Sequence, residues 1–355
     1  MTGVLAFTDR HTALILGALS ILLVGTTLFS LSVGAVQIPL ADVSVILLQK
    51  LGLFHSREMD ETYAIVMDSI RIPRIVMTLL IGGALGISGA SLQGLFRNPL
   101  VEPGIIGVSG GAASGIVLLV VFGAGWGLVQ AGWLHDVILP AVAFASGLLA
   151  TTVVLRLSRQ MQHTNIAVLV LMGVAVNALA GAVIGLAIFY ADENQLRTFT
   201  FWTLGDLGGA TRDKLLVAGP LLLLSSLMLL RYAPALNALA LGEAEAYHSG
   251  VDVEKSKRNI VFLSALAVGV SVSLAGIIGF VGLVIPHLVR TLFHADNRLV
   301  LPASVLGGAW LLVFSDVIAR TLVSPAELPI GVVTAFIGSP FFIVLLLRAK
   351  KRGEF

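Results

Sequence analysis

Stretches almost free of charged residues recur along the whole chain, and they constrain its fold more than any other feature. A helix needs about 20 apolar residues to cross a bilayer. Nine stretches of about this length lie at 12–36, 75–95, 104–122, 137–156, 166–190, 215–231, 260–278, 299–319 and 329–347. A tenth, at 280–293, is shorter, contains His287 and Arg290, and has the length of a half-spanning or tilted helix. The pattern predicts an all-α, polytopic membrane protein with about ten transmembrane helices, in one membrane domain over residues 1–355.

The composition supports a membrane protein and excludes chemistry based on cysteine. The chain is 57% hydrophobic and 12% charged, with a mean hydropathy of +0.98, whereas soluble domains carry about 25% charged residues. It has no cysteine, so disulfides and thiolate ligands are excluded. The uncharged run at 12–41 is longer than the roughly 7–15-residue core of a signal peptide. We therefore expect a retained first helix.

The distribution of basic residues predicts the orientation of the chain. Ten spans that start inside the cell place 14 of the 22 lysines and arginines on the inner side, as the positive-inside rule requires. These are Arg10, Arg97, Arg156, Arg159, Arg231, Lys255, Lys257, Arg258, Arg290, Arg298, Arg348, Lys350, Lys351 and Arg352. Both termini are therefore predicted to be cytoplasmic. The pI near 9.0 reflects this orientation and does not indicate binding to nucleic acid.

Two loops are long enough to carry structure of their own. The loop at about 37–74 is predicted to lie outside and to contain a short helix before Arg71. The loop at about 232–259 is predicted to lie inside, with good helix formers between two glycines, Gly242 and Gly250, that allow sharp turns. Two short helices along the cytoplasmic face would fit this loop, and an ordinary solvated loop is the alternative.

The best-known catalytic and nucleotide-binding signatures are missing. None of the six lysines completes a GxxxxGK[ST] motif, so the chain has no P-loop of its own. HExxH and CxxC are also absent. One GxSxG match, at 107–111, falls inside a predicted helix rather than on a strand-to-helix turn. These observations argue against a membrane-embedded enzyme.

Few ionisable or polar residues fall inside the predicted spans. Asp316 and Arg320 lie four apart on one helix face, and an ordinary ion pair at a helix end is a sufficient explanation. An ion-coupled secondary transporter would need a charge nearer the middle of a span, and no convincing one is found. Gln93 and Asn177 are better suited to hydrogen bonds between helices than to ligand contact.

The stretch 71–115 combines a span rich in small residues with a break. Glycine, alanine and serine allow helices to pack closely in lipid. The Arg97-Asn98-Pro99 sequence then ends the span. The stretch therefore predicts a helix in the interior of the bundle. A short similarity between PGIIGVSGG (103–111) and AGIIGFVGL (275–283) is of a kind that glycine-rich membrane sequences produce by chance.

Five motifs together resemble the FecCD family, the permease subunits of ABC importers for vitamin B12, ferric siderophores and haem. The motifs cover essentially the whole chain in the family's order. They are RIPR (71–74), GALGISGASLQGLFRNPLVEPGIIGVSGG (83–111), LALGEAEAYHSGV (239–251), GFVGLVIPHLVR (279–290) and AELPIGVVTAFIGSPFF (326–342).

The resemblance implies the type II ABC importer permease fold and a set of partners. The chain would form a homodimer in the bacterial inner membrane, surrounded by lipid. Two copies of a separate cytoplasmic ATPase would bind ATP and magnesium, so no cofactor is expected in this chain. A periplasmic binding protein would deliver the cargo. The amino-acid sequences of three segments look closest to those of haem importers, so haem is the expected cargo. Vitamin B12 or a ferric siderophore is the alternative.

The resemblance also implies roles for particular residues. Arg71, Arg74 and Arg320 would dock the binding protein at the outer rim. The inner gate maps by position alone to His163, Thr164 and Asn165. The ATPase-coupling residues are Leu241, Gly242, Glu243, Ala244, Tyr247 and Gly250.

Overall fold

The computed structural model describes residues 2–34, 36–50, 52, 60–123, 132–160 and 163–351. Its helices are α1 (Thr2–Ser32), α2 (Leu40–Lys50), α3 (Glu61–Val66), α4 (Ile72–Phe96), α5 (Val108–Phe122), α6 (Gly132–Leu157), α7 (Ile166–Tyr190), α8 (Glu193–Leu204), α9 (Arg212–Leu230), α10 (Ala233–Leu241), α11 (Glu243–His248), α12 (Val253–Ala275), α13 (Val281–Leu292), α14 (Asn297–Thr321) and α15 (Ile330–Lys351). Two strands of two residues each, β1 (Arg159–Gln160) and β2 (His163–Thr164), pair antiparallel.

Ten of these helices coincide with the ten apolar stretches. Seven are long and apolar enough to cross a membrane, and three shorter apolar helices lie in α5, α13 and α15. The prediction of an all-α, polytopic membrane protein is confirmed, including the short helix at 281–292.

The two longer loops carry short helices. The predicted inner loop contains α10 and α11, in agreement with the two helices expected there. The predicted outer loop contains α3 before Arg71, as expected, and also α2, which the sequence did not indicate. Helix α3 runs through one π-helical turn, Met67–Arg71, directly into α4.

Helix α4 is the centre of the bundle, and it is buried along most of its length. It packs against α14, α12, α9 and α13. Glycines make this packing possible: a Cβ on Gly86 would lie 2.1 Å from the carbonyl oxygen of Ser304, and one on Gly89 would lie 1.8 Å from that of Gly282. The predicted interior position of this glycine-rich helix is confirmed.

Peripheral helices expose their apolar side chains instead. Helices α1, α7 and α9 carry leucine, isoleucine, valine and phenylalanine side chains that are largely exposed in the isolated chain. An apolar surface of this extent on membrane-length helices is expected of a lipid-facing or subunit-facing surface.

Two breaks interrupt the helical bundle, and they meet in space. After α4, a 3₁₀ turn, Pro103–Ile106, occupies part of the stretch predicted as a span from 104, so α5 begins only at Val108. The 15 residues of α5 extend about 22 Å, less than the roughly 30 Å hydrocarbon core. The second break separates α12 from α13, and the Phe280 N–H donates to Glu102 at 3.3 Å. Both breaks contain Gly-Ile-Ile-Gly, although the first forms a 3₁₀ turn and the second has no regular secondary structure.

Candidate functional sites

The two predicted docking arginines of the RIPR motif lie at the start of α4, and both are buried. Arg74 donates from Nε and Nη2 to Oδ1 of Asp316, at 3.0 and 2.8 Å, and from Nη1 to Glu327 at 3.0 Å. Arg71 donates to the carbonyl oxygens of Leu31 and Val36. Both side chains therefore connect α4 to neighbouring parts of the same chain.

Arg320, the third predicted docking residue, completes the same group. Its Nε donates to Oδ2 of Asp316 at 3.0 Å, which confirms the ion pair expected from their spacing. Its other nitrogens donate to Ser30 and to the Val33 carbonyl. Asp316, whose side chain is only 1% exposed, thus bridges two arginines.

We call Arg71, Arg74, Arg320, Asp316 and Glu327 the outer charge cluster, after the side of the membrane on which the sequence predicts them. The cluster has three cationic and two anionic side chains, and Glu327, with its side chain 44% exposed, is its most accessible carboxylate. The arginines thus have partners within the chain. The sequence indicated the pair of Arg320 with Asp316 but not that of Arg74, because Arg74 and Asp316 are 242 residues apart. Docking of a binding protein by these arginines stays a prediction.

A cavity of about 470 Å³ adjoins the outer charge cluster. Glu327 contributes to its wall, together with residues of α8, of the segment before α9 and of the end of α12. Lys214 and Asp206 also line it. The cavity is therefore partly polar, although it lies among membrane-length helices. Among the described residues, no group of three or more histidine and acidic side chains could hold a metal ion.

The predicted coupling residues lie on α10, on α11 and on the turns that end these helices. Gly242 has φ +140° between the two helices, and Gly250 has φ +86° after α11. Both values are in the range that glycine adopts without strain. Leu241 and Tyr247 are 79% and 71% exposed, and Glu243 and Ala244 are also exposed. The turn therefore presents apolar and acidic side chains on the protein surface.

Helix α10 is fixed to the bundle beneath this surface. Its Leu236 and Leu239 are buried. The Asn237 amide nitrogen donates to Asp296 at 2.6 Å, and its oxygen accepts from the backbone N–H of Asn297 at 2.9 Å. Since Asp296 is the N-cap of α14, α10 is attached to the beginning of a spanning helix. The sequence analysis did not identify Asn237.

Asp296 is outside the spanning segment and has a shifted pKa. Partial burial alone would raise the pKa of this carboxyl. Hydrogen bonds from the Arg298 N–H and from the Asn237 amide outweigh that effect, so the pKa of Asp296 lies below its ordinary value. The carboxylate is therefore held in its charged form at the N-terminus of α14, where a negative charge is favourable.

The three predicted gate residues lie where the chain enters α7. His163 and Thr164 form β2, which pairs with β1. Asn165 is the N-cap of α7, and its side-chain oxygen accepts from the N–H groups of Ala167 and Val168 at 3.0 and 3.3 Å. We call His163, Thr164 and Asn165 the gate segment. Its role as a gate stays a prediction.

Two polar residues inside the spans connect helices as expected. The Gln93 amide donates to the carbonyl oxygens of Gly282 and Leu283, at 3.2 Å each, and Gln93 accepts from Arg290 at 2.6 Å. The Asn177 amide donates to the carbonyl of Gly104 at 3.1 Å. Gln93 thus attaches α4 to α13, and Asn177 attaches α7 to the 3₁₀ turn before α5.

In the described part of the chain, nine apolar helices and a central glycine-rich helix, α4, form a bundle with an exposed helical turn at one end, which is the architecture of a multi-pass membrane protein. The chain belongs to the FecCD transport family, whose family model matches residues 21–348.

Individual relatives agree with this family. The chain is 41% identical over 339 residues to the hemin transport system permease protein HmuU of Yersinia pestis, which covers 96% of this chain and 97% of that protein. It is 42% identical to the vitamin B12 import system permease protein BtuC of Klebsiella pneumoniae, over 80% of this chain and 83% of the relative.

A solved structure supports the fold. A structure described as a metal-chelate type ABC transporter in an inward-facing conformation matches with a TM-score of 0.78 and 34% identity, over 94% of this chain and 99% of that one. The chain is therefore similar in sequence and in fold to permease subunits of ABC transporters.

Proposed function

We propose that the chain is the membrane permease of an ATP-driven importer that moves haem across the bacterial inner membrane. The observation that carries the cargo assignment is the 41% identity to a hemin transport permease over nearly the full length of both chains. The metal-chelate transporter of similar fold supports the same class of cargo.

The remaining machinery lies in other chains. In this proposal the permease is a homodimer, in which residues 1–355 of each copy form one membrane domain. Two cytoplasmic ATPase subunits supply the energy, and a periplasmic binding protein supplies the cargo. The absence of a GxxxxGK[ST] motif from the sequence supports a separate ATPase. Both termini are placed in the cytoplasm because of the inner excess of lysine and arginine.

The sites receive roles within this arrangement. The exposed turn around Gly242 would dock the ATPase, because its apolar side chains project from a helix pair that is fixed to the bundle. The gate segment would close the pathway on the same side. The outer charge cluster would face the binding protein through its net positive charge.

Vitamin B12 is the second candidate cargo, since permeases named for it reach 42% identity over 80% of this chain. A ferric siderophore is the third. The test is uptake into proteoliposomes that contain the permease and its ATPase, with each cargo offered on its own binding protein. We expect accumulation of haem above that of the other two. Accumulation of vitamin B12 or of a ferric siderophore without haem would contradict the assignment.

A further inference from the structure

A buried lysine joins the exposed turn to the gate segment. Lys257 lies in the second turn of α12, and its side chain is 3% exposed. Its Nζ donates to Glu243 at 2.7 Å, to Glu254 at 3.0 Å and to the carbonyl oxygen of Thr164 at 3.1 Å. All three donor positions of the ammonium group are thus used, by three different elements of the chain.

The contact with the gate segment has two parts. Besides the bond from Lys257 to the Thr164 carbonyl, the Thr164 N–H donates to Glu254 at 2.7 Å. Lys257 and Glu254 therefore hold both backbone groups of one residue of the gate segment. Glu243 is the first residue of α11, in the turn that presents Leu241 and Tyr247. A displacement of α11 would consequently act on Thr164 through one side chain.

The surroundings of Lys257 argue for more than a stabilising contact. Removing a charge from water is costly, and apolar residues of similar size often stabilise a protein as well as a buried ion pair does. Ser256 beside it is also buried, whereas Lys255 on the same turn is exposed. A link made of polar hydrogen bonds can change partners when one end moves, which close-packed apolar side chains do less readily.

We propose that Lys257 is a positioning residue that transmits movement of the ATPase-docking turn to the gate segment. The inference rests on the proposed function, in which the turn around Gly242 docks an ATPase. When the partner shifts α11, the bond to Glu243 moves Lys257, and Lys257 with Glu254 moves Thr164 and the beginning of α7.

The test uses the fact that the chain has no cysteine. Ala167, in the first turn of α7, is exposed, and Ala167→Cys introduces a single thiol beside the gate segment. The rate of its modification by a maleimide is measured in the full transporter, with its ATPase, in lipid, with and without ATP. With Lys257 intact we expect ATP to change the rate by about fivefold or more, the size of typical coupling between sites.

Three variants in this background decide between a link and a simple stabilising contact. Lys257→Met should abolish the ATP-dependent change, whereas the matched control Lys255→Met should retain it. Glu243→Gln should also reduce the change, and this variant serves if Lys257→Met fails to assemble. A full response to ATP in Lys257→Met, or in Glu243→Gln, would overturn the proposal.

The readout separates this inference from the proposed cargo. Thiol modification reports movement of the gate segment and does not depend on which molecule is carried. If haem is not transported but ATP still changes the labelling through Lys257, the cargo assignment is wrong and the link is correct. If haem is transported and Lys257→Met responds like the unmodified chain, only the link is wrong.

Discussion

At the scale of single residues, the arginines of the outer charge cluster have two roles. They hold helices of the same chain together, and they are predicted to dock the binding protein. Arg74 and Arg320 share Asp316 and are largely buried, so they hold α4 and α14 together. Breaking a buried pair by removing one partner costs about 3–5 kcal/mol. Reversing the charge of either arginine would therefore disturb the fold as well as any docking, and a change at the exposed carboxylate is a cleaner test.

Neutralising Glu327 should strengthen docking of the binding protein. Glu327→Gln leaves all three arginines in place and adds one positive charge to the net charge of the cluster. If the cluster faces acidic residues of the partner, we expect affinity to rise by about 0.5 kcal/mol, roughly a factor of two, with a steeper dependence on salt. Binding is measured over a range of ionic strength.

Asp213→Asn is the matched control for this prediction. Asp213 is exposed in the first turn of α9, at the same predicted outer end. It is not a member of the cluster, and its replacement changes the net charge by the same amount. Equal behaviour of the two variants would show that overall charge, and not the cluster, determines binding.

Asp296 should contribute stability that depends on pH. Its pKa is lowered in the folded chain, so the contribution is present above the unfolded pKa of about 3.9 and is lost as the pH falls through the folded value. We expect Asp296→Ala to lower the free energy of unfolding by about 1 kcal/mol at neutral pH, the usual cost of a lost N-cap. Asp296→Asn keeps a capping oxygen but does not titrate, so this variant should lack the loss of stability in acid that Asp296 causes in the unmodified chain. A cost of Asp296→Ala that persists unchanged in acid would contradict this.

At the scale of elements, α4 connects the two ends of the bundle. Near the beginning of α4, Arg74 donates to Asp316, and near the end of α4, Gln93 accepts a hydrogen bond from Arg290. Between these points its glycines lie against the backbones of α13 and α14. Such close approach leaves no room for a methyl group.

Gly89→Ala should therefore destabilise the protein by about 1–3 kcal/mol, the usual cost of overpacking. The Cβ would overlap the Gly282 carbonyl oxygen, which is part of a backbone and cannot rotate away. Thermal unfolding in detergent measures the effect. Gly181→Ala on α7, where nothing beyond the adjacent backbone of its own helix lies within 4 Å of the new Cβ, should leave the midpoint unchanged or slightly raised. Equal midpoints for the two variants would show that α4 and α13 are not tightly packed.

The α10–α11 turn should bind the ATPase through its exposed apolar side chains. Replacing Leu241 and Tyr247 together by asparagine should weaken association by about 2 kcal/mol or more, as expected for central interface residues. Leu322→Asn is the control, because Leu322 is also strongly exposed but lies at the opposite end of α14. Association of the purified permease with the ATPase in detergent is the measurement. Undiminished binding by the double variant would place the docking surface elsewhere.

The sequence predicted the elements better than their junctions. Charge-free length located ten apolar helices, seven of them long enough to span a membrane, and glycine content identified α4 as interior. Backbone breaks left no such signal: the stretch from 104 reads as apolar throughout, yet its first residues form a 3₁₀ turn. Side-chain partners such as Asn237 with Asp296, or Lys257 with Thr164, join residues far apart in the chain. Helix packing creates these contacts, and a local pattern does not contain them.

At the scale of the whole molecule, the two ends of the bundle have different chemistry. The end where α4 begins carries buried arginines and a partly polar cavity, and the end where α4 terminates carries an exposed helical turn bonded to a strand pair. This division is consistent with the proposal that the binding protein delivers cargo at the first end and that the ATPase docks at the second.

The central claim is that ATP hydrolysed by a partner chain drives transport through this permease. The most direct measurement is haem accumulation in proteoliposomes that contain the permease, its ATPase and haem-loaded binding protein, with ATP supplied on the ATPase side. The account predicts accumulation that requires both ATP and the ATPase, and none from an imposed proton or sodium gradient. Accumulation driven by an ion gradient with the permease alone would contradict it and would indicate a secondary transporter.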